Sequence, residues 1–457
     1  MAPLHVVILA AGQGKRMKSS LPKVLHRLAG RTLLEHVVTA AARLDPAGVH
    51  VVYGHGGEQV RDAHGTLAVQ WVEQREQRGT GHAVEQALPA VPDEATVLVL
   101  YADVPLIDVA TLRQTVGAAR DGALALISAR VDDPAGYGRI LRDGDGKVIG
   151  IVEDRDASDE QRLIDEINTG ILAAGAARLR RWLARIDENN AQGERYLTDV
   201  IALAAGEGTT VHGINAEDLA EVLGVNDRSQ LAALERYYQC RQAQKLMRDG
   251  VTIADPARLD IRGEVSIGSD VFLDVNVILE GNVVIDEGAS VGPNCVIKNA
   301  RIGPGSEIHA NSIIEQASVG ARCRIGPYAR LRPGTELAED VHIGNFVEVK
   351  NTRVGKGSKA NHLTYLGDSQ VGSGVNVGAG TITCNYDGAE KHATIIEDDV
   401  FVGSGVELVA PITIRAGATI GAGATVTRDV PPGVLSVSRA RQTTIENWTR
   451  PTRKKKE

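Results

Sequence analysis

Aliphatic residues recur at six-residue intervals through most of the second half of the chain. This period matches neither the turn of an α-helix nor a long strand of alternating residues. It is typical of short strands joined by tight corners, in which each strand places one aliphatic side chain in a stacked interior. The pattern therefore predicts a parallel β-helix of hexapeptide rungs over about residues 251–435. The predicted inward positions are Ile267, Leu273, Leu279, Ile285, Val291, Ile297, Ile302, Ile308, Ile314, Val319, Ile325, Leu331, Leu337, Ile343, Val349, Val354, Ala360, Leu366, Val371, Val377, Ile396, Val402, Leu408, Ile414, Ile420 and Val426.

The first 226 residues show a different pattern, in which apolar runs alternate with helical stretches. This alternation predicts an α/β domain with a mostly parallel, Rossmann-like sheet. Ligands bind such sheets beyond the carboxyl ends of the strands, so we expect a site in the loops after Ala10 and Tyr101. The predicted strands are 5–10, 49–53, 69–72, 97–101 and 124–129, and the predicted helices are 33–44, 81–88 and 109–119.

Residues 227–250 are rich in charged and helix-favouring side chains, and Ser229 is the predicted N-cap of a helix there. A helix of this length spans roughly 30 Å and would connect two separate domains. We therefore predict a first domain at 1–226, a linker helix at 227–250 and a second domain at 251–457. The alternative is that the helix is simply the last element of the first domain.

Composition narrows the class of protein. The 457 residues carry a net charge of −8, with 43% hydrophobic and 24% charged residues, values that are ordinary for a soluble globular chain. The negative charge argues against nucleic acid as a partner, and no apolar run approaches the roughly 18 residues of a membrane span. Because the start of the chain lacks the features of a signal peptide, we expect a cytoplasmic protein.

The four cysteines show no CxxC spacing, so neither a zinc cluster nor a disulfide framework is indicated. Cys295 and Cys323 fall where the repeat requires a small inward residue, and we expect both in the core. The basic segment 453–456 is expected to be a solvated tail.

Candidate chemistry in the first half begins with a glycine-rich loop. Gly12 and Gly14 follow a predicted strand, where backbone N–H groups can approach phosphate oxygens, and Lys15 and Arg16 add positive charge. The loop lacks the third glycine of the dinucleotide fingerprint and the ending of a P-loop. Its specificity comes from its companion segments, which are 16–17, 21–23, 76–83 and 101–106.

In the second half, the six-residue pattern is interrupted between Thr383 and Thr394 by a polar excursion that an unbroken solenoid does not need. Polar motifs precede it at 330–334, 345–351 and 359–368. Among these segments the imidazole of His362 is a candidate general base, because a histidine can accept a proton near neutral pH.

Together these segments resemble the sugar-1-phosphate nucleotidyltransferases. With the β-helix, residues 4–440 are similar to the family of bacterial bifunctional enzymes that are both N-acetylglucosamine-1-phosphate uridyltransferases and glucosamine-1-phosphate N-acetyltransferases. The resemblance implies a left-handed β-helix, a homotrimer with acetyl-CoA bound between subunits, UTP as co-substrate and Mg²⁺ as cofactor. It also implies the synthesis of UDP-N-acetylglucosamine for the cell wall and lipid A.

For the first domain, the resemblance implies that Asp103 and Asn226 bind Mg²⁺, while Arg16 and Lys23 contact phosphates. Lys15 stands where the family often has threonine, and Ala102 where glycine is common. The residues implied to bind nucleotide and sugar are Leu9, Ala10, Ala11, Gly12, Lys23, Gln74, Gly79, Thr80, Tyr101, Ala102, Asp103, Gly138, Glu153, Asn168 and Asn226.

For the second domain, the resemblance supports His362 as the general base. It implies that the acceptor sugar phosphate is bound by Arg332, Lys350, Tyr365, Asn376 and Lys391. It implies that acetyl-CoA is bound by Ala379, Asn385, Tyr386, Ser404, Ala422 and Arg439.

Two other functions are compatible with this architecture. One is a different sugar nucleotidyltransferase, guanylyl- or adenylyl-transferring, whose β-helix is regulatory and which consumes no acetyl-CoA. The other is a non-enzymatic assembly subunit that keeps both folds as a scaffold. The joint presence of Arg16, Lys23, Asp103, Asn226 and His362 favours the bifunctional enzyme over both.

Overall fold

The apolar runs of the first half form the sheet that the alternating pattern predicts. The computed structural model describes residues 2–12, 14–54 and 57–451, and the chain forms two compact units that divide between Tyr238 and Gln239. In the first unit the strands are β1 Leu4–Leu9, β2 Arg27–Leu28, β3 Arg31–Thr32, β4 Gly48–Gly54, β5 Gln70–Gln74, β6 Thr96–Tyr101, β7 Leu124–Arg130, β8 Arg139–Arg142, β9 Val148–Val152, β10 Glu166–Gly175 and β11 Val211–Asn215. The helices are α1 Leu33–Ala42, α2 Glu58–Ala63, α3 Thr80–Ala87, α4 Val109–Ala118, α5 Asp159–Arg162, α6 Ala176–Leu183 and α7 Asp199–Gly206.

The main sheet has the order β11-β7-β10-β6-β1-β4-β5. Its strands are parallel except for β10, which runs antiparallel to both β6 and β7. Alternate residues of β1 enter two separate cores, with Val6 and Ile8 in one and Val7 and Leu9 in the other. The sheet is therefore buried on both faces, as the near-continuous apolar runs predict.

The register of the central strands positions the candidate site. Leu9 of β1 lies opposite Tyr101 of β6 and opposite Val52 of β4. Because these strands are parallel, the loops that follow them leave from the same edge of the sheet. The glycine-rich loop and Asp103 are thus brought to one edge, as expected from the sequence.

A helix, α8 Arg228–Arg248, occupies the region of the predicted linker. The predicted cap was wrong: Ser229 lies inside the helix, and Gln230 N donates to Asp227 Oδ1 at 2.8 Å. The aspartate satisfies an N–H group of the first turn that would otherwise have no acceptor within the helix. The domain bounds at 226 and 250 stay a prediction.

The second unit is the predicted parallel β-helix, and its strands form two long parallel ladders. The strands are β12 Thr252–Ile253, β13 Leu259–Ile267, β14 Phe272–Leu273, β15 Val277–Ile285, β16 Ser290–Val291, β17 Val296–Lys298, β18 Arg301–Ile302, β19 Glu307–Ile308, β20 Ile313–Glu315, β21 Ser318–Val319, β22 Arg324–Ile325, β23 Arg330–Leu331, β24 Glu336–Leu337, β25 His342–Asn345, β26 Glu348–Lys350, β27 Arg353–Val354, β28 Lys359–His362, β29 Tyr365–Gly367, β30 Ser369–Val371, β31 Asn376–Val377, β32 Ile382–Cys384, β33 Thr394–Ile396, β34 Phe401–Val402, β35 Glu407–Val409, β36 Ile412–Ile414, β37 Thr419–Ile420, β38 Thr425–Val426 and β39 Leu435–Ser436.

The predicted inward positions form one continuous core. They are buried throughout except Ile267, which is partly buried and packs against the same core. Ile325, Ile343 and Ala360 stack in successive coils, so one coil spans 18 and then 17 residues (343 − 325 and 360 − 343). The six-residue repeat thus corresponds to three short faces per coil.

Two smaller predictions concern this unit. Cys295 and Cys323 are fully buried in its core, as expected. The polar excursion is also present: Tyr386 pairs with Lys391 in an isolated antiparallel bridge between β32 and β33. The basic residues 453–456 lie outside the described residues. Within the described ranges, no helix combines the length and apolar character needed to cross a bilayer.

Candidate active sites

The first candidate site lies at the carboxyl edge of the main sheet. Lys23 Nζ forms an ion pair with Asp103 Oδ2, and the same ammonium lies 3.4 Å from Asn226 Oδ1. Asp103 follows β6, and its carbonyl accepts a 2.8 Å hydrogen bond from Val225 N. Segments that are far apart in sequence are therefore fastened together, and their polar side chains converge on one point.

Asp103 Oδ2 and Asn226 Oδ1 are suited to a divalent cation, because the Lys23 ammonium already contacts both. Among the described residues, no group of three or more His, Cys, Asp or Glu side chains is placed to hold a metal. A carboxylate and an amide oxygen alone suit Mg²⁺, which commonly completes its coordination with water and substrate phosphates. The residues present therefore fit the predicted ion.

A cavity of about 220 Å³ opens beside this point. Ten of the predicted nucleotide- and sugar-binding residues line it, namely Leu9, Ala10, Ala11, Gly12, Lys23, Gln74, Gly79, Thr80, Tyr101 and Asp103. Ala102 does not, because its methyl group is fully buried in the sheet core. The alanine thus substitutes for the common glycine without a side chain in the cavity.

Two glutamines fix the loops around the cavity. Gln74 is buried and donates through Nε2 to Gly79 O at 3.1 Å. Gln77, which the sequence analysis missed, donates through Nε2 to Ala11 O at 2.8 Å and so ties the glycine-rich loop to the 76–83 segment. Gln77 lies within a motif that was identified, but its contact between two loops was not readable from spacing.

The predicted sugar residues lie beyond Tyr101. Asn168 N donates to Gly138 O at 2.8 Å, and a Cβ on Gly138 would lie 3.4 Å from Glu153 Oε2, so these three residues are neighbours. Gly170, with φ of +84°, packs so closely on Tyr101 that a Cβ there would lie 2.5 Å from the ring. The Tyr101 ring is therefore held between the cavity and the sugar residues.

The Glu153 carboxylate accepts a 3.0 Å hydrogen bond from Thr198 Oγ1 and lines a second cavity of about 380 Å³. Burial raises the pKa of Glu153. Burial, followed by the charges of Asp187, Glu153 and Asp156, raises the pKa of Asp199 to about 6. This acidic cavity was not identified in the sequence analysis, because its members come from three distant segments.

Asp199→Asn should stabilise the protein in a pH-dependent way. The folded-state pKa of Asp199, about 6, lies above its ordinary value of 3.8, so stability present below pH 3.8 is lost as pH rises through about 6. Midpoints of urea unfolding should therefore agree near pH 4 and favour the variant increasingly up to pH 7. Asp132→Asn, at an exposed loop position, is the control; an equal gap at both pH values would contradict the prediction.

Arg16 lies in a short 3₁₀ turn, Lys15–Met17, and is exposed. Tyr137, missed from the sequence, is placed between opposite charges: after the effect of burial, Asp103 raises its pKa and Arg16 lowers it. Arg16 and Asp103 therefore both lie within electrostatic range of the Tyr137 hydroxyl. Of Lys15, only the backbone is described.

The second candidate site begins at one corner of the β-helix. His362 ends β28, pairs with Asn345 of β25 in the preceding coil and is exposed. Its Nδ1 lies 2.7 Å from Asn345 Oδ1. Because an amide oxygen only accepts hydrogen bonds, Nδ1 must carry the proton, which leaves the Nε2 lone pair able to accept one. The role of Asn345 was not predicted from the sequence.

Four of the predicted substrate residues lie around Asp368 on a neighbouring face. They are Lys350, Tyr365, Asn385 and Lys391. Asn385 Nδ2 donates to Asp368 Oδ2 at 2.5 Å and lies 3.4 Å from the Tyr365 hydroxyl. The Lys350 ammonium, the largest influence, lowers the pKa of Lys391. Asp368 is influenced by both ammonium groups, so a single carboxylate faces two cations, and the remaining positive charge suits a phosphate dianion.

The other two residues predicted to bind the acceptor are Arg332 and Asn376. Arg332 forms a 2.7 Å ion pair with Glu348, whose register neighbour is Tyr365. Asn376 belongs to the other ladder, between Lys359 and Phe401, and does not join the Asp368 group.

The predicted acetyl-CoA residues mostly follow His362 along the corner. Ala379, Ser404 and Ala422 occupy equivalent positions in the next coils, since Gly405 N donates to Ala379 O and Gly423 N to Ser404 O. Tyr386 is exposed in the excursion, and Arg439 lies near Gly423, where a Cβ would be 3.8 Å from Arg439 Cδ.

Comparison with known proteins covers both units. A family model of the MobA-like NTP transferase domain matches residues 6–252, a model of the GMPPB C-terminal domain matches 261–363, and a model of the hexapeptide repeat of succinyl-transferase matches 393–428. A solved nucleotidyl transferase structure from Methanothermobacter thermautotroptrophicus covers 52% of this chain and 97% of its own, with a TM-score of 0.38 and 22% identity.

Two curated relatives match nearly the whole chain. The bifunctional protein GlmU of Azoarcus sp. is 56% identical over 452 residues, which cover 99% of this chain and 100% of the relative. That of Alkalilimnicola ehrlichii is 55% identical over 448 residues, 98% and 96% of the two chains. The predicted order of a nucleotidyltransferase domain and a hexapeptide β-helix is confirmed, consistent with the left-handed form. The chain therefore belongs to the family of bifunctional GlmU proteins and combines a nucleotidyltransferase with an acetyltransferase.

Proposed function

We propose that the chain makes UDP-N-acetylglucosamine in two steps, acetylating glucosamine-1-phosphate in the β-helix and then transferring uridylyl from UTP in the first unit. Family membership supports both activities. One observation carries the assignment of residues. The same chain presents a Lys23–Asp103–Asn226 cluster at a sheet edge, a histidine oriented by Asn345 at a corner of the β-helix and a lysine pair on a neighbouring face.

In uridyl transfer, an oxygen of the sugar phosphate attacks the α-phosphorus of UTP; the new P–O bond forms as the bond to pyrophosphate breaks. The nucleophile is already anionic, so the protein needs to align it and neutralise charge rather than remove a proton. Lys23 and Arg16 are placed to neutralise phosphate charge. Asp103 and Asn226 would hold Mg²⁺, which when bound offsets the charge of the triphosphate and of the leaving pyrophosphate.

In acetyl transfer, the sugar amine attacks the thioester carbonyl carbon of acetyl-CoA. His362 Nε2 accepts a proton from the sugar ammonium, the C–N bond forms, the C–S bond breaks, and the thiolate leaves with the second amine proton. Lys350, Lys391 and Arg332 bind the phosphate of the acceptor, with Tyr365 and Asn376 contributing polar contacts. Ala379, Asn385, Tyr386, Ser404, Ala422 and Arg439 contact acetyl-CoA.

The same proposal includes the organisation of the protein. The uridyltransferase domain comprises residues 1–226, the linker helix 227–250, and the acetyltransferase domain with its tail 251–457. We include in it a homotrimeric assembly located in the cytoplasm. Hexapeptide β-helices are compatible with oligomerisation. The partners of the assembly are small molecules rather than nucleic acid or membrane, which is in keeping with the net charge of −8.

Omitting substrates one at a time tests the proposal. With glucosamine-1-phosphate, acetyl-CoA, UTP and Mg²⁺, the protein should release free thiol and pyrophosphate and accumulate UDP-N-acetylglucosamine. Without acetyl-CoA, nucleotide sugar should form only if N-acetylglucosamine-1-phosphate is supplied. Uridyl or other nucleotidyl transfer with no thiol release would instead support an enzyme whose β-helix is regulatory.

A further inference from the structure

One corner of the β-helix is built from residues in the left-handed backbone conformation. We call these positions the left-handed corner; in successive coils they are Asn294, Asn311, Tyr328, Phe346, Leu363, Gly380, Gly405 and Gly423, with φ between 50° and 75°. Backbone hydrogen bonds fix their equivalence. Leu363 N donates to Asn345 O, Gly380 N to His362 O, Gly405 N to Ala379 O and Gly423 N to Ser404 O.

The character of the left-handed corner changes abruptly at His362. Asparagine and glycine adopt this conformation readily, whereas a bulky side chain is strained in it. Nevertheless Tyr328, Phe346 and Leu363 occupy it, and they are 53%, 56% and 61% exposed. The rings of Tyr328 and Phe346 stack at 5.4 Å. This bulky ladder ends at Leu363, the residue directly after His362, and only glycines follow in the later coils.

Packing against the described residues does not require the glycines, since a Cβ on Gly380 or Gly423 would make only ordinary contacts, at 3.6 Å and 3.8 Å. A Cβ on Gly405 would meet nothing within 4 Å, and asparagine satisfies the same backbone conformation at Asn294 and Asn311. The residues that precede the glycines are also small: Ala379, Ser404 and Ala422. With ladder strands about 4.8 Å apart, the coils from Leu363 to Gly423 form a track of roughly 14 Å whose corner positions after Leu363 carry no side chain, with Arg439 against its Gly423 end.

We propose that Leu363 is the end wall of this track and limits the length of the acyl group that can be transferred. The inference rests on the proposed acetyl transfer at His362. A linear thioester arm lying along the glycines would place its carbonyl carbon beside His362 and direct its acyl chain toward the Leu363 side chain. An acetyl group fits in front of that side chain, whereas a longer chain meets it, with Phe346 behind.

Leu363→Gly should open the end wall. Glycine suits the left-handed φ of 50°, so the variant should fold with an unchanged or higher melting temperature. We expect kcat/KM for butyryl-CoA, relative to acetyl-CoA, to rise by about tenfold or more, because butyryl adds two methylenes and pocket fit to even one is worth at least about tenfold. Acetyl transfer itself should stay within a few-fold of wild type. Leu363→Asn, which suits the same φ and is shorter, should raise the ratio as well.

Tyr328→Gly is the matched control, because it relieves the same strain and removes a similarly exposed side chain two coils from Leu363. It should leave the acyl preference unchanged. If the ratio is unchanged in both Leu363 variants while wild type is active on acetyl-CoA, the proposed role of Leu363 is overturned and the proposed acetyl transfer is retained. Absence of acetyl transfer in wild type would overturn the proposed function as well. A ratio unchanged in every variant, with altered sedimentation, would make the ladder a subunit contact and likewise overturn the proposal.

Discussion

Asp103→Asn should lower uridyl transfer by about 10²- to 10³-fold, the loss typical of removing one preorganised electrostatic group. The carboxylate is the only charged oxygen of the proposed ion site, and it is paired with Lys23 and close to Asn226 through the same ammonium. The asparagine keeps the shape and an oxygen near Lys23 but loses the charge. Acetyl transfer needs no metal and should stay at the wild-type rate.

Pyrophosphate release and thiol release, followed separately in the same preparation, measure the two effects. Removing Mg²⁺ with a chelator should reproduce the pattern in wild type, stopping uridyl transfer only. Asp121→Asn is the control, since Asp121 is exposed and has a left-handed φ of 55° that asparagine adopts equally well. Uridyl transfer that stays near wild type in Asp103→Asn would remove this residue from the mechanism.

The repetitive part of the fold was the most predictable. A single period of six, read from residues such as Ile325 and Ile343, determines which side chains are buried in every coil. The linker helix was also predictable, but its first turn was not. Ser229 and Asp227 are both good N-cap residues, and only the structure shows that Asp227 accepts the hydrogen bond.

The sites were predictable as residue types and less so as arrangements. Asp103 and Asn226 come from segments whose meeting depends on strand order, which a single sequence does not reveal. Asn345, in contrast, could have been found. It precedes His362 by 17 residues, one coil of the β-helix (362 − 345), so the two side chains must stack. That Ala102 packs into the core could not be predicted, because it depends on the direction of the chain just after β6.

His362→Ala should lower the kcat of acetyl transfer by about 10²- to 10⁴-fold, the usual contribution of a general base. Asn345 Oδ1 holds the proton on Nδ1 at 2.7 Å, so Nε2 is the atom able to take the ammonium proton. Binding of acetyl-CoA should change little, because the residues proposed to contact it, such as Ser404 and Arg439, are retained. Uridyl transfer, in the other unit, should be unaffected.

The pH dependence separates a base from a merely structural histidine. Thiol release by wild type should rise with pH, because a general base must be unprotonated to accept the ammonium proton, and His362→Ala should lose that rise. Asn345→Leu keeps the imidazole but not its orienting acceptor, so it should lower kcat by a smaller factor and retain a pH-dependent rate. His309→Ala, at a partly exposed histidine of the β-helix, should leave thiol release unchanged. If His362→Ala transfers acetyl at a near wild-type rate on both sides of neutral pH, the base is instead a water molecule or Tyr365.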